Sequence, residues 1–321
     1  GRGLCQKTCL HPMRKQGENA ITARAFKNII LASGAYNSPQ LLMRSGVGPA
    51  EHLREAGIDV VAHSENVGGN LQDHPSLTIE FKRKRISDFH QKLRFDRLCI
   101  NMMRALLMKD GPATMPLGFG TGFLRSAHEI TLPDIQIFFR LFSMRAHEWF
   151  PLLKPPGMDG LGFVACHLRP ESRGTVRLDL HNPLNPPRIT NNFLSTDYDR
   201  HAMRFSFKML RTLAGAASFA EDMGEEILPG PIVQSDDDID AFIRQNAVTV
   251  FHPVGTCRMG IDEAAVVDPK LQVRGCQNLR VVDASVMPDI IGGNLNAPVM
   301  MIADKASDII LGRSQLPAVE I

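Results

Sequence analysis

The sequence is short of several things. No apolar run reaches the ~18 residues that a membrane-spanning helix needs. Tryptophan occurs once and tyrosine twice in 321 residues. A quaternary ammonium, which prefers an aromatic cage, finds few indole or phenol rings here, although 17 Phe are present. Net charge is only +2. The dense basic run Lys82-Arg83-Lys84-Arg85 carries no interleaved aromatics, which argues against nucleic acid as a partner. The six cysteines are scattered, favouring a reducing compartment and hence the cytoplasm. Cys5, Cys9 and His11 have no second ligand pair downstream, so no metal site is read from them. Gly-x-Ser-x-Gly, His-Glu-x-x-His and Cys-x-x-Cys are all missing, which excludes the commonest serine-hydrolase, zincin and zinc-finger readings. A Gly-x-Gly-x-x-Gly dinucleotide turn is missing too. The first residues carry no secretory pattern, and Gly1 stands where an initiator Met is expected, so the chain reads as part of something longer.

What is present is a globular composition, 44% hydrophobic and 22% charged. Asn28–Ala35 reads as a short buried strand ending in small residues. Pro39–Ser45 then reads as a helix with Pro in its first turn, Ala50–Ala56 as a second helix and Ile58–Ala62 as a strand. This is the grammar of an α/β layer. From Gly68 the texture changes. Strands are predicted at Leu77–Arg83 and Pro133–Phe139. The spacing predicts a helix over Phe95–Lys109 with Leu98, Met102, Ala105 and Leu106 facing inward. Leu161–Leu168 and Gly174–Leu180 read as a hairpin or meander about Arg169–Gly174. Tyr198–Ala214 reads as a helix with Ala202, Phe205, Met209 and Leu213 inward. Ser235–Asp238 matches a capping box that opens a helix through Gln245. The expected organisation is an α+β segment, 71–250, inserted between two α/β pieces, 24–70 and 251–314.

The chemistry gathers between His252 and Pro298. His252 sits at a loop tip followed by Pro253 and Gly255-Thr256, the right type and place for a general base near neutral pH. On spacing alone, a histidine satisfied by local hydrogen bonds reads equally well. Asn294 and Asn296 sit in a Gly-Gly-Asn-Leu-Asn-Ala-Pro loop. Their amides suit either a substrate oxygen or loop and cap chemistry. Asp283 ends Leu-Arg-Val-Val-Asp, either at a ligand-facing strand end or as a cap. Pro298 is expected to begin a helix, Val299–Leu311, whose N-terminus suits an anion. Gln72-Asp73-His74 could be catalytic but reads more readily as a polar turn at a domain junction, and His167 as a packed strand histidine.

Gly34-Ala-Tyr-Asn-Ser-Pro-Gln-Leu-Leu-Met-Arg-Ser-Gly-Val-Gly48, Asn66-Val-Gly-Gly-Asn-Leu-Gln-Asp-His74, Pro170-Glu-Ser-Arg-Gly174 and the stretch 252–310 follow one another in a familiar order. Over roughly residues 24–312 the chain resembles the C-terminal part of the glucose–methanol–choline (GMC) family of FAD-dependent oxidoreductases, in particular its bacterial alcohol and choline dehydrogenase-like members. The resemblance implies a partial FAD-binding, Rossmann-type α/β domain with an inserted antiparallel-sheet (α+β) substrate domain that roofs the flavin. It implies His252 and Asn294 as catalytic residues, binding the substrate hydroxyl as hydride moves to flavin N5, with His252 taking the proton. Ala32, Ser33 and Gly34 would close the nucleotide side of FAD. Asp283 and Ala284 would touch its ribityl–pyrophosphate region, and Asn294, Ala297 and Pro298 would lie along the isoalloxazine. Without the Gly-x-Gly-x-x-Gly half, the segment by itself is expected to bind FAD poorly and to be inactive.

The expected reaction is oxidation of a small-molecule alcohol to an aldehyde, with oxygen or a quinone as acceptor. A quinone would place the protein at a membrane periphery. A non-catalytic remnant without FAD and a flavin-containing hydroxynitrile lyase are the alternatives. The Met- and Phe-rich stretches 115–123 and 138–150 lean toward an alcohol with an apolar body over glucose or choline. Core packing explains the same residues.

Overall fold

The computed structural model describes residues 25–114 and 120–317. Cys5, Cys9, His11 and Met115–Phe119 lie outside them. The described residues form two compact units, the first from residues 25–74, 170–195 and 251–317, the second from 75–114, 120–169 and 196–250. Residues 170–195, grouped with the insertion from sequence, pack with the first unit.

The first unit opens with β1 (Ile29–Leu31), α1 (Gly34–Arg44), β2 (Val47–Gly48), α2 (Ala50–Glu55) and β3 (Ala62–His63). The chain enters the second unit as β4 (Pro75–Arg83), α3 (Asp88–Lys92), α4 (Phe95–Met108), β5 (Thr121–Leu124), β6 (Ile135–Arg140) and β7 (Gly160–His167). It returns to the first as β8 (Thr175–Arg177) and β9 (Arg188–Thr190). The second unit is completed by α5 (Asp197–Ala214), β10 (Met223–Leu228), α6 (Asp236–Asn246) and β11 (Val248–Thr249). The first ends with β12 (Leu279–Val281) and α7 (Asn296–Leu311).

In the first unit β1 pairs in parallel with β12, Ile29 opposite Leu279 and Leu31 opposite Val281. Leu31 is buried but Ile30 is 46% exposed, because β12 is the only partner of β1 among the described residues. Around this pair pack Leu42 and Met43 of α1, Leu53 of α2, and Val254, Val267, Val281 and Val286, all fully buried. Helix α1 begins at Gly34, five residues before the predicted start, and Pro39 lies inside it. A proline there removes the bond to the carbonyl four residues back. That carbonyl belongs to Ala35, and the buried Thr256 hydroxyl donates to it at 2.5 Å. A partner 221 residues away thus takes over the lost helix bond. The predicted strand Ile58–Ala62 shrinks to Ala62–His63, pairing in parallel with Val47–Gly48.

The second unit is built on an antiparallel sheet in the order β10-β4-β7-β6-β5, with β11 also on β4. Phe163 on β7 lies at the centre of a ring cluster, 5.0 Å from Phe139, 5.7 Å from Phe219 and 6.1 Å from Phe81. Phe139, one of the residues behind the apolar-substrate expectation, is half-buried and packs in this ring cluster. Ser235 and Asp238 form the predicted capping box. Two expectations change. Strand β7 forms no hairpin with β8, because β4 and β6 occupy both its edges; β8 pairs with β9 instead. Helix α5 is rotated from the predicted stripe. Ala202, Met203, Phe207 and Leu210 are buried, while Phe205, Met209 and Leu213 are half-buried. Arg204 on Asp240 and Arg211 on Glu226, each a forked pair, hold that rotation.

Thr256→Val keeps the side-chain shape but leaves the Ala35 carbonyl unpaired in the core. The expected loss is about 1–3 kcal/mol, read as a lower midpoint in urea. Thr256→Ser, which restores the donor, is expected to recover most of it.

Candidate active site

An isolated antiparallel bridge joins Gln72 to Val254, with backbone bonds of 3.1 and 2.9 Å. In that register His74 faces His252. Their Nδ1 atoms lie 3.1 Å apart and their rings meet edge-on, with centroids at 5.3 Å. The Asp73 carboxylate accepts the His252 backbone N–H at 3.0 Å. Gln72 reaches the next loop, donating to the Pro288 carbonyl and accepting from the Ile290 N–H. Gly255, at φ +91, makes the close approach possible: a Cβ there would lie 2.4 Å from the Asn70 carbonyl. Gln72, Asp73 and His74 are all at most 2% exposed. They do not form an open polar turn. They brace the loop of His252, and three polar residues just before the apolar strand β4 were the available signal.

For a pair of neutral rings, the bonding pattern sets the proton positions. His74 Nε2 lies 3.1 Å from the Ile291 carbonyl. A carbonyl only accepts, so Nε2 carries the hydrogen and Nδ1 of a neutral His74 is an acceptor. His252 must then donate from its own Nδ1, which leaves its Nε2 with a lone pair. That Nε2 makes no hydrogen bond among the described residues. Burial lowers the His252 pKa below its ordinary value, and the nearby Asp73 charge opposes the shift. The ring is therefore neutral near pH 7.

The second centre is Asp283. It is 7% exposed and accepts from three donors: the Gly34 N–H at 3.0 Å, the Ser38 hydroxyl at 2.5 Å and the Ser285 N–H at 2.8 Å. It is thus both a strand-end acid and the cap of the turn Ala284–Val286, the two roles left open by the sequence. Ala32 and Ser33 are exposed at the carboxyl end of β1, and a Cβ on Gly34, at φ +81, would meet nothing within 4 Å. Beside Asp283, burial and the carboxylate charge push the Cys257 thiol far up, so it is no nucleophile.

The third element is the loop 292–298. Asn294 is exposed, and its amide has no partner among the described residues. Helix α7 starts at Asn296, two residues before Pro298, with Leu295 at the cap and no side-chain acceptor there. Ala297 and Pro298 sit in the first turn, where a missing N–H costs no helix bond. The structure thus links His252, through His74 and Ile291, to the chain segment that bears Asn294. It links Gly34 directly to Asp283. No group of His, Cys, Asp and Glu able to hold a metal occurs among the described residues.

All these residues fall within two segments, 10–76 and 170–303, that match profiles described as GMC oxidoreductase. The chain belongs to the GMC oxidoreductase family. It is 40% identical over 295 residues to an alcohol dehydrogenase (acceptor) of Pseudomonas putida, covering 91% of this chain and 52% of that protein. It is 41% identical over 297 residues to the mitochondrial choline dehydrogenase of Homo sapiens, covering 92% and 49%. Among solved structures it matches formate oxidase with a TM-score of 0.81 and 28% identity, covering 92% of this chain and 56% of that one. The chain spans about half the length of the curated relatives it matches. Its mixed helical and antiparallel-sheet architecture is that of its structural neighbours.

Nitrogen-15 NMR of histidine-labelled protein is expected to show His252 as the Nδ1–H tautomer, titrating below 6.5. Asp73 raises this pKa, so Asp73→Asn is expected to lower it further. His74→Ala is expected to release the tautomer. An Nε2–H signal for His252 in the wild type refutes the bonding pattern.

Proposed function

We propose that the protein is an FAD-dependent oxidoreductase that converts an alcohol to an aldehyde, with His252 as base and Asn294 as the hydrogen-bond donor that orients the hydroxyl. In this reading the first unit is the rear part of a Rossmann-type FAD-binding domain, and the second is the inserted substrate domain. One observation carries the proposal most: a neutral imidazole whose Nδ1 is committed to His74 and whose Nε2 is left free to accept a proton.

The residues fit a flavin. Space is open at Gly34 and Gly293, where a Cβ would touch nothing within 4 Å. Ala32, Ser33, Ala284, Ala297 and Pro298 present small surfaces beside it. Asp283 holds the β1–α1 turn in place, and the uncapped first turn of α7 offers N–H groups to an electron-rich ring edge. When bound, FAD supplies the two-electron acceptor that takes the carbon-bound hydrogen as hydride.

The chain's own residues do the rest. The substrate hydroxyl donates to His252 Nε2, and its oxygen accepts from the Asn294 amide. As the carbon–hydrogen bond weakens, charge grows on that oxygen and the proton passes to Nε2. The Asn294 donor gains strength when the charge is largest, which lowers the barrier rather than merely tightening binding. The imidazolium formed faces the Asp73 carboxylate, and His74 keeps the ring from turning.

His252→Ala is expected to slow flavin reduction by alcohol by about 10²–10⁴-fold, and Asn294→Ala by about 10²-fold, measured by stopped flow with flavin content checked by absorbance. Scarce Trp and Tyr disfavour a cation cage, so benzylic and medium-chain alcohols are expected to reduce the flavin faster than choline or glucose. Bound flavin that no alcohol reduces would leave the lyase reading standing.

A further inference from the structure

Helix α4 was predicted to bury a stripe, yet none of its 14 residues is buried. Leu98, Asn101 and Ala105 are partly covered on its inner side, and Asp96, on the outer side, is partly covered by its pair with Arg94. Met102 and Leu106, expected inward, are 50% and 76% exposed. Phe95, Met103 and Leu107 are exposed as well, at 54%, 60% and 75%. At about 100° per residue these five side chains span roughly 140° of arc, a broad apolar stripe. On that wheel Arg97 and Arg104 border one side of the stripe and Lys109 the other.

A second apolar element stands beside the start of the helix. The Phe95 N–H donates to the Trp149 carbonyl at 2.8 Å, and the Trp149 N–H to the Leu93 carbonyl at 3.3 Å. These bonds hold the turn Phe150–Lys154 next to α4. At its tip Leu152 is 106% and Leu153 83% exposed. Such side chains stand proud of the surface, a shape that enters a fluid layer and that a rigid partner would have to mould around.

Charge identifies the occupant. Residues 82–109 hold nine Lys and Arg against two Asp, in a chain whose net charge is +2. Several are engaged: Arg94 with Asp96, Arg104 with Asp110, Arg85 with Glu221, Arg83 with Asp159 and Asp222, and Lys82 with Glu225. Lys92 and Lys109 have no ion pair among the described residues, and the Arg97 guanidinium bonds the Gln91 amide. A cleft of about 400 Å³ opens beside them, lined by Arg94, Arg97, His90 and the Trp149 ring, with Asp159 at its edge.

From an exposed apolar stripe, a leucine tip and a cationic border, we infer that α4 and the turn Phe150–Lys154 form a docking surface for an anionic phospholipid membrane. The helix lies in the interface, with the leucine tip dipping into the acyl region and the Lys and Arg side chains meeting headgroup phosphates. No helix among the described residues is long and apolar enough to cross a membrane; the surface inferred here attaches to one face.

The test is flotation of the flavin-loaded, full natural polypeptide with vesicles of phosphatidylcholine plus phosphatidylserine, against phosphatidylcholine alone. The protein is expected to float with the anionic vesicles, at least about tenfold less with neutral ones, and to be released by high salt. Bromine-labelled acyl chains are expected to quench Trp149, the one tryptophan of these 321 residues, and a Trp149→Phe variant is expected to lose that part of the quenching. Leu106→Glu with Leu107→Glu, and separately Leu152→Ser with Leu153→Ser, are each expected to weaken flotation about tenfold or more. These side chains are exposed, so the thermal midpoint is expected to hold. Absence of flotation overturns the inference, as does flotation indifferent to both variant pairs. A wild-type dimer that the α4 variant converts to monomer overturns it too, because a second copy then covers the helix.

Discussion

The carboxylate of Asp283 is the point on which the first unit closes. Its two oxygens gather three donors, from Gly34, Ser38 and Ser285, and the bond to Gly34 spans 249 residues of sequence. An ionised carboxylate at 7% exposure would be costly if unpaired. Three donors, one of them a short hydroxyl bond, offset that cost, and charge-assisted bonds of this kind are the stronger class. The same contact starts helix α1 at a glycine with φ +81 and ends β12 in a turn. Because β1 and β12 are parallel, their carboxyl ends lie side by side. Ala32–Gly34 and Asp283-Ala284 therefore emerge at one edge, where ligands bind in open parallel sheets.

The histidine pair poses the complementary problem of keeping one imidazole nitrogen bare without charging the ring. A free imidazole near pH 7 is divided between its forms. Burial pushes His252 toward the neutral one, while Asp73 stops the shift from going so far that the ring could no longer accept a proton. His74 settles which nitrogen stays bare, and it does so through a backbone carbonyl that has no alternative role. Each control comes from a group within three residues of β4 in sequence. That region looked like a connection and acts as a brace.

Local rules made part of this legible. The Ser235–Asp238 box, the run before Asp283 and the Gly-rich loops around His252 and Asn294 announce themselves through short-range chemistry. Contacts that span a hundred residues or more left weaker marks. Pro39 looked like a helix start because its missing N–H suits a first turn, and only the hydroxyl of Thr256 makes it tolerable inside α1. The α5 stripe was misplaced because two apolar stripes compete on that helix, and ion pairs to Asp240 and Glu226 decide between them. The β7–β8 hairpin failed because sequence does not show that both edges of β7 are already taken. In α4, periodicity located the helix correctly but assigned its apolar side to a core; amphipathicity gives a direction, not the identity of what lies there. The functional motifs, Asn66–His74 among them, were readable as a family resemblance, whereas the bracing contact of His74 with His252 was not, since one His beside an Asp before a strand has many ordinary explanations.

In the proposed reading, the charges around His252 and Asp283 suit an uncharged substrate. The two nearby carboxylates have fixed duties: Asp283 serves three donors, and Asp73 holds the His252 backbone. Tyr36, raised by burial and by Asp73, stays a neutral phenol, and the Cys257 thiol stays protonated. Among the described residues, what is left to meet a ligand in the proposed reading is the bare Nε2 of His252 and the amide of Asn294, one neutral acceptor and one neutral donor. That pair matches an alcohol hydroxyl, which needs one of each. It offers a carboxylate no cation and a quaternary ammonium no free anion. In the proposed reading, a preference for a neutral hydroxyl follows from how the acids are used in building the site.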